Sequence, residues 1–158
     1  MIANILKPQA LEIDGATVYI KGLPGWLHQV ISNQVSAAYP ELRGLSEEAL
    51  SAGTHDASFS ALGMDLMRAA VRYGVVGWEG IKDGDGADVV PEFETVRHGM
   101  DMVQRLAQDS VIFSIEHLAQ IGDRVLGLTK LQSEAKKNSG AQSAPAASAG
   151  KKGSRKGS

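Results

Sequence analysis

Apolar and polar positions alternate most cleanly between Leu11 and Ile20, with Leu11 and Ile13 on one face before Asp14-Gly15 and Val18 and Ile20 on one face after it. A period of two on both sides of a dipeptide that accepts positive φ predicts a β-hairpin. A lone hairpin is marginal in water, so this one must lie against helices or pair with another chain's strand, leaving an exposed edge.

Elsewhere the spacing is helical. Gly22-Leu23-Pro24-Gly25 breaks the strand, and Trp26, Leu27, Val30, Ile31 and Val35 then mark one face of a helix that Tyr39-Pro40 ends. Ser46 starts a short element reaching about Leu50, and Ser58 or Ser60 caps a long helix. That helix carries Leu66, Met67, Ala70 and Val71 on one side, Arg68 and Arg72 on the other, and stops at Gly74. It leads into Val75, Val76, Trp78 and Ile81, among which Trp78 is the expected structural anchor, and then into the acidic turn Lys82–Asp88. Val89-Val90-Pro91 is extended. Thr95 starts a predicted helix through Val96, Met100, Val103 and Leu106, weakened by Gly99. Asp109 or Ser110 caps a final helix bearing Ile112, Ile115, Leu118 or Ala119, and Val125, with Ile121, Leu128 and Leu131 widening the stripe.

The expected fold class is therefore mainly α: a small helical domain over residues 1–135 with an N-terminal β-hairpin, then a disordered tail over 136–158. Charge sharpens that boundary. The formal net charge is −2, but all 18 acidic residues and 10 of the 16 basic ones lie at or before Glu134, so the body is −8 and the tail +6. The tail is almost wholly Lys, Arg, Gly, Ser, Ala and Gln, too polar to offset its chain entropy by burial. At 158 residues and 43% hydrophobic content, the chain suits one domain with a real core. It has no cysteine, which excludes disulfides, thiolate nucleophiles and sulfur-ligated zinc. No signal peptide or run of eighteen apolar residues is visible, and the expectation is a soluble cytoplasmic protein with no membrane partner.

Candidate chemistry is sparse. Asp83, Asp85 and Glu94 match positions one, three and twelve of a calcium loop, but Ala87, Asp88 and Pro91 occupy positions that need a ligand, a glycine and a further ligand or water. His28, His55, His98 and His117 lack the paired spacing of zinc ligands, and there is no GxSxG elbow, phosphate loop or dinucleotide fingerprint. The expectation is no enzyme, no catalytic residue, no metal and no cofactor. Lys151, Lys152, Arg155 and Lys156 could meet phosphate, yet no aromatic residue is interleaved with them and the acidic body opposes nucleic acid. Trp26 and Trp78 read first as core anchors. The hairpin and the helix behind it are nonetheless the predicted contact surface for partners or self-association, through Val18, Ile20, Trp26, Leu27, Val30 and Ile31.

The segments LEIDGATVYIKGL and VVGWEGIKDGDGADVV, followed by a late helix ending near Lys137-Asn138-Ser139, together resemble the tail assembly chaperones of long-tailed, siphovirus-like bacteriophages. The resemblance covers most of residues 10–139, with GWEGIKDGDG its sharpest piece. The stretch from about Tyr39 to Asp56 and the long basic tail depart from it. It implies a largely helical, non-enzymatic late protein of virion morphogenesis in the host cell cytoplasm, absent from the mature virion. Such a protein holds the tape measure protein soluble and recruits tail tube protein subunits. It also implies ribosomal frameshifting near the end of the gene, with Lys136-Lys137-Asn138 and Gly150-Lys151-Lys152 as the places of interest. The competing readings are a tail completion or head-tail joining protein, and a DNA-binding regulator using the basic tail.

Overall fold

The computed structural model describes residues 7–143. The hairpin forms as its pattern dictates: β1 (Gln9–Ile13) and β2 (Ala16–Ile20) pair antiparallel around Asp14-Gly15, whose φ values are 47° and 84°. Two positive φ angles make a type I′ turn, whose twist matches that of the flanking strands.

Helix α1 (Gly25–Ala37) follows, then a 3-10 turn at Pro40–Leu42 and the short α2 (Glu47–Ser51), whose Ser46 side chain accepts the Ala49 N–H. The long α3 (Asp56–Gly74) is preceded by His55, with no side-chain cap. Ser58, one of the two expected caps, instead donates to Glu41 at 2.9 Å from inside the helix, where it helps tie the preceding turn down.

From Gly74 the chain runs directly into β3 (Val75–Glu79), which pairs antiparallel with β2 and completes a sheet of order β1-β2-β3. Val75 and Trp78 are three apart, so a regular strand would aim them to opposite faces. A register shift beside Ile20 turns both inward. Residues 93–106 are not the expected helix. They form a second hairpin, β4 (Phe93–His98) and β5 (Asp101–Leu106), which make a sheet of their own. The expected final helix begins later than Asp109 or Ser110, which lie in a 3-10 turn. It is α4 (Ile115–Ser143), opened by Ser114 accepting the His117 N–H at 3.2 Å.

The mainly α expectation is thus wrong: the molecule is about 50% helical and 22% strand, with two small sheets. Two local facts account for the difference. β-Branched Val75 and Val76 continue α3 as a strand because β2 offers a free edge, and Gly99 closes a hairpin where the apolar spacing also fits a helix. The helix α4 runs past residue 135 to Ser143, beyond the expected start of disorder, and the rest of that tail, from 144, lies outside the described residues.

One hydrophobic cluster joins Ile13, Val18, Ile20, Val75 and Trp78 from the sheet with Leu27 and Ile31 of α1, Ala70 and Val71 of α3, and Leu118, Ile121, Val125 and Leu128 of α4. Fully burying each large aliphatic side chain here contributes about 1.5–3 kcal/mol. The close pairing of α3 and α4 is set by small residues. Gly74 faces Val125, and Gly122 faces the main chain of Met67. Where α4 passes the loop before α1, Thr129 Oγ1 accepts the buried Leu23 N–H and donates to the Val125 carbonyl, both at 2.8 Å. A main-chain donor that would otherwise be orphaned in the core is satisfied there.

Candidate interaction surface

The hairpin β4–β5 sits on the molecule in an unusual way. Its turn is Gly99-Met100, with Gly99 at φ 64°, the first central position of a type II′ turn, where glycine is needed. The register pairs Glu94 with Arg105, Val96 with Val103 and His98 with Asp101 on one face, and Thr95 with Gln104 and Arg97 with Met102 on the other. The first face turns toward α3, where a polar network adds to the anchorage given by fully buried Leu106 at the end of β5. Arg72 Nε donates to the Leu106 carbonyl at 2.9 Å, while Arg72 Nη2 and Arg105 Nε both donate to Glu94 Oε2, at 3.0 and 2.5 Å. Arg105 Nη1 reaches the Tyr73 hydroxyl at 3.3 Å, and that hydroxyl lies 2.9 Å from His98 Nε2.

The Arg105 hydrogen bond holds the Glu94 carboxyl below its ordinary range, against the opposing push of partial burial, and the charges of Arg105 and Arg72 add to the effect. Glu94 therefore stays ionised and keeps both arginines in place. The same network holds His98 against an aromatic ring of α1. The Trp26 ring meets His98 edge-on at 6.4 Å between centroids and is 42% exposed. Beyond His98 the hairpin tip carries Met100, 95% exposed, and Met102, 61% exposed. Neither outer edge of the hairpin has a strand partner among the described residues.

The predicted contact residues are divided by the fold. Val18, Ile20, Leu27 and Ile31 are core side chains and cannot reach a partner, Val30 is half-buried, and only Trp26 faces out. The exposed edge placed on Val18 and Ile20 is absent, because β2 is the central strand of its sheet. Met100 and Met102 are exposed but are not among the predicted contact residues, because the apolar spacing over residues 96–106 fits a helix as well as a hairpin. Trp78 lies in the core: it is 8% exposed, its Nε1 donates to the Val89 carbonyl at 2.7 Å, and its ring meets Phe113 edge-on at 5.5 Å.

The acidic turn is held locally. Asp83 Oδ1 accepts the N–H groups of Asp85 and Ala87 at 2.9 and 3.0 Å, and Lys82 pairs with Asp88. Among the described residues no group of three or more His, Asp or Glu is placed to hold a metal. A pocket of about 280 Å³ lies between the β1–β2 turn and the start of α4, lined by Ile13, Val18, Ile81, Phe113, Ser114 and His117 among others. Its rim brings together Asp14, His117 and Ser114, the residue types of a hydrolytic triad. Asp14 holds His117 Nε2 at 2.8 Å, and the Ser114 hydroxyl accepts the His117 main-chain N–H as a helix cap. No hydrogen bond joins that serine to the imidazole.

No family model, curated protein or solved structure matches this chain.

Proposed function

We propose that this chain is a phage tail assembly chaperone: a non-enzymatic protein that keeps the tape measure protein soluble, recruits tail tube subunits, and stays behind in the host cytoplasm when the virion is complete. The observation that supports it best is the exposure of Met100 and Met102 on a hairpin with open edges among the described residues. Methionine is flexible and polarisable, so such a surface adapts to apolar segments of varied shape. Open strand edges add main-chain pairing that does not depend on the partner's sequence. Both properties suit a protein that must cover a long apolar chain.

The mixed fold departs from the largely helical architecture that the resemblance implies. The proposal therefore rests on the GWEGIKDGDG segment and on the exposed hairpin, not on fold class.

The test is co-expression with the tape measure protein of the same phage, comparing wild type with M100S/M102S. Serine at these exposed positions should change stability by no more than about 0.5 kcal/mol. The expected result is loss of soluble tape measure protein with the variant still folded. Full solubilisation by the variant refutes the assignment of the surface. Detection of the chain in purified virions favours the tail completion reading instead, and salt-dependent DNA retention lost on deleting residues 136–158 favours the regulator.

A further inference from the structure

Among the described residues, the outer edge of β1 has no strand partner, an observation independent of the chaperone reading. In a two-residue hairpin the residues flanking the turn form a hydrogen-bonded pair, here Ile13 with Ala16. Alternation then commits the main-chain groups of Gln9, Leu11 and Ile13 to β2, and turns those of Ala10 and Glu12 outward. Both residues are exposed, and β1 is the outermost strand of its sheet. We propose that this edge pairs antiparallel with the same edge of a second copy of the chain, with Leu11 directly opposite Leu11 of that copy.

The register follows from the residues. Three two-fold registers bring the outward groups of Ala10 and Glu12 face to face. Centring on Glu12 opposes two carboxylates and drives the Asp14 turn into the ladder. Centring on Ala10 places Pro8 opposite Glu12, and Pro8 has no N–H to give. Centring on Leu11 sets Ala10 opposite Glu12 of the other copy twice over, so every outward N–H and carbonyl of both residues is paired. It also brings Lys7 alongside the turn of the other copy, where the Asp14 side chain is 78% exposed. Half-buried Leu11 is then covered by its counterpart. The Glu12 carboxylate, which accepts the Thr17 hydroxyl at 2.7 Å, faces only the methyl group of Ala10.

The chain has no cysteine, which makes a single-thiol test clean. Opposed residues of a non-hydrogen-bonded antiparallel pair have Cα atoms about 4.5 Å apart, within disulfide reach. Full-length Leu11→Cys should therefore convert to a covalent dimer under mild oxidation, while Thr95→Cys, exposed on β4, should not. In sedimentation equilibrium the wild type should move from 16.7 kDa toward twice that mass with rising concentration. Ala10→Pro removes one outward N–H without touching the β1–β2 ladder, and should weaken association at least about tenfold. A wild type that stays monomeric at about 100 μM overturns the proposal. So does Leu11→Cys crosslinking no faster than Thr95→Cys, or a folded Ala10→Pro that associates as well as wild type. If Ala10→Pro fails to fold, the comparison of the two thiol variants still decides.

Discussion

Two glycines in α4 receive the same substitution and should respond with opposite sign. A Cβ added at Gly122 would lie 3.0 Å from the Met67 carbonyl oxygen and 2.8 Å from its sulfur, whereas one added at Gly127 meets nothing within 4 Å. Alanine is favoured over glycine in a helix interior by about 1 kcal/mol, so Gly127→Ala should stabilise by up to that amount. At Gly122 the same gain applies, but the methyl group must push α3 away. The sulfur could swing aside; the carbonyl belongs to the backbone of α3 and cannot move alone. Overpacking of this kind costs about 1–3 kcal/mol, and contact with a fixed atom puts it at the upper end. The expected separation between the two variants is therefore about 2–3 kcal/mol, or roughly 5–10 °C in Tm for a chain of this size. Urea titration followed by circular dichroism measures it. Because the obstacle is main chain, adding Met67→Ala to Gly122→Ala should not restore stability. A Gly122→Ala protein as stable as Gly127→Ala, or one rescued by Met67→Ala, refutes the helix crossing described above.

Trp78→Phe should lower stability by about 1–3 kcal/mol in a melt, since it leaves the Val89 carbonyl without its donor, and Trp78→Ala by about 3–5 kcal/mol. Thr129→Val preserves shape but orphans the buried Leu23 N–H, at an expected cost of about 1–3 kcal/mol by the same measurement. Glu94 has its carboxyl pKa lowered below 4.5 in the folded state, so its contribution is complete above that value and is lost as pH falls through the folded pKa. Glu94→Gln should accordingly flatten the acid side of a pH–stability curve below about pH 4.5, and an unchanged acid limb would refute the clamp.

What could be read in advance was what is encoded locally. Asp14-Gly15 between short alternating runs specifies the first hairpin within ten residues, and Ser46 marks its helix by a bond three residues away. The β2–β3 pairing was hidden because it joins Val18 to Trp78, sixty residues on, and nothing near Val18 shows that its edge is taken. The second hairpin was misread for another reason. Val96, Met100 and Val103 are spaced four and three apart, as on a helix, and the same Val96 and Val103 face each other across the strands. The partner residues failed because side-chain type does not separate a core face from a binding face. Leu27 is buried and adjacent Trp26 is not, a difference that only the packing of α1 against its neighbours decides.

That misreading bears on function. A hairpin that belongs to a core turns its apolar face inward, and the alternation of its sequence then shows the fold. Here the face turned toward α3 carries Glu94, His98 and Arg105 beside Val96 and Val103, while methionines stand at the tip and on the outer face. Hydrophobicity along β4 and β5 consequently carries no clean period of two. The polar network helps hold the hairpin at a modest net gain, because each hydrogen bond replaces one to water. Leu106 is fully buried, but Val96 and Val103 are only half-buried. An ordinary surface hairpin has no reason to keep Met100 at its tip instead of a polar turn residue, and exposed methionine invites association and oxidation. On the function proposed above, those side chains are covered by a partner chain laid along β4–β5, which is why the M100S/M102S variant is the decisive comparison.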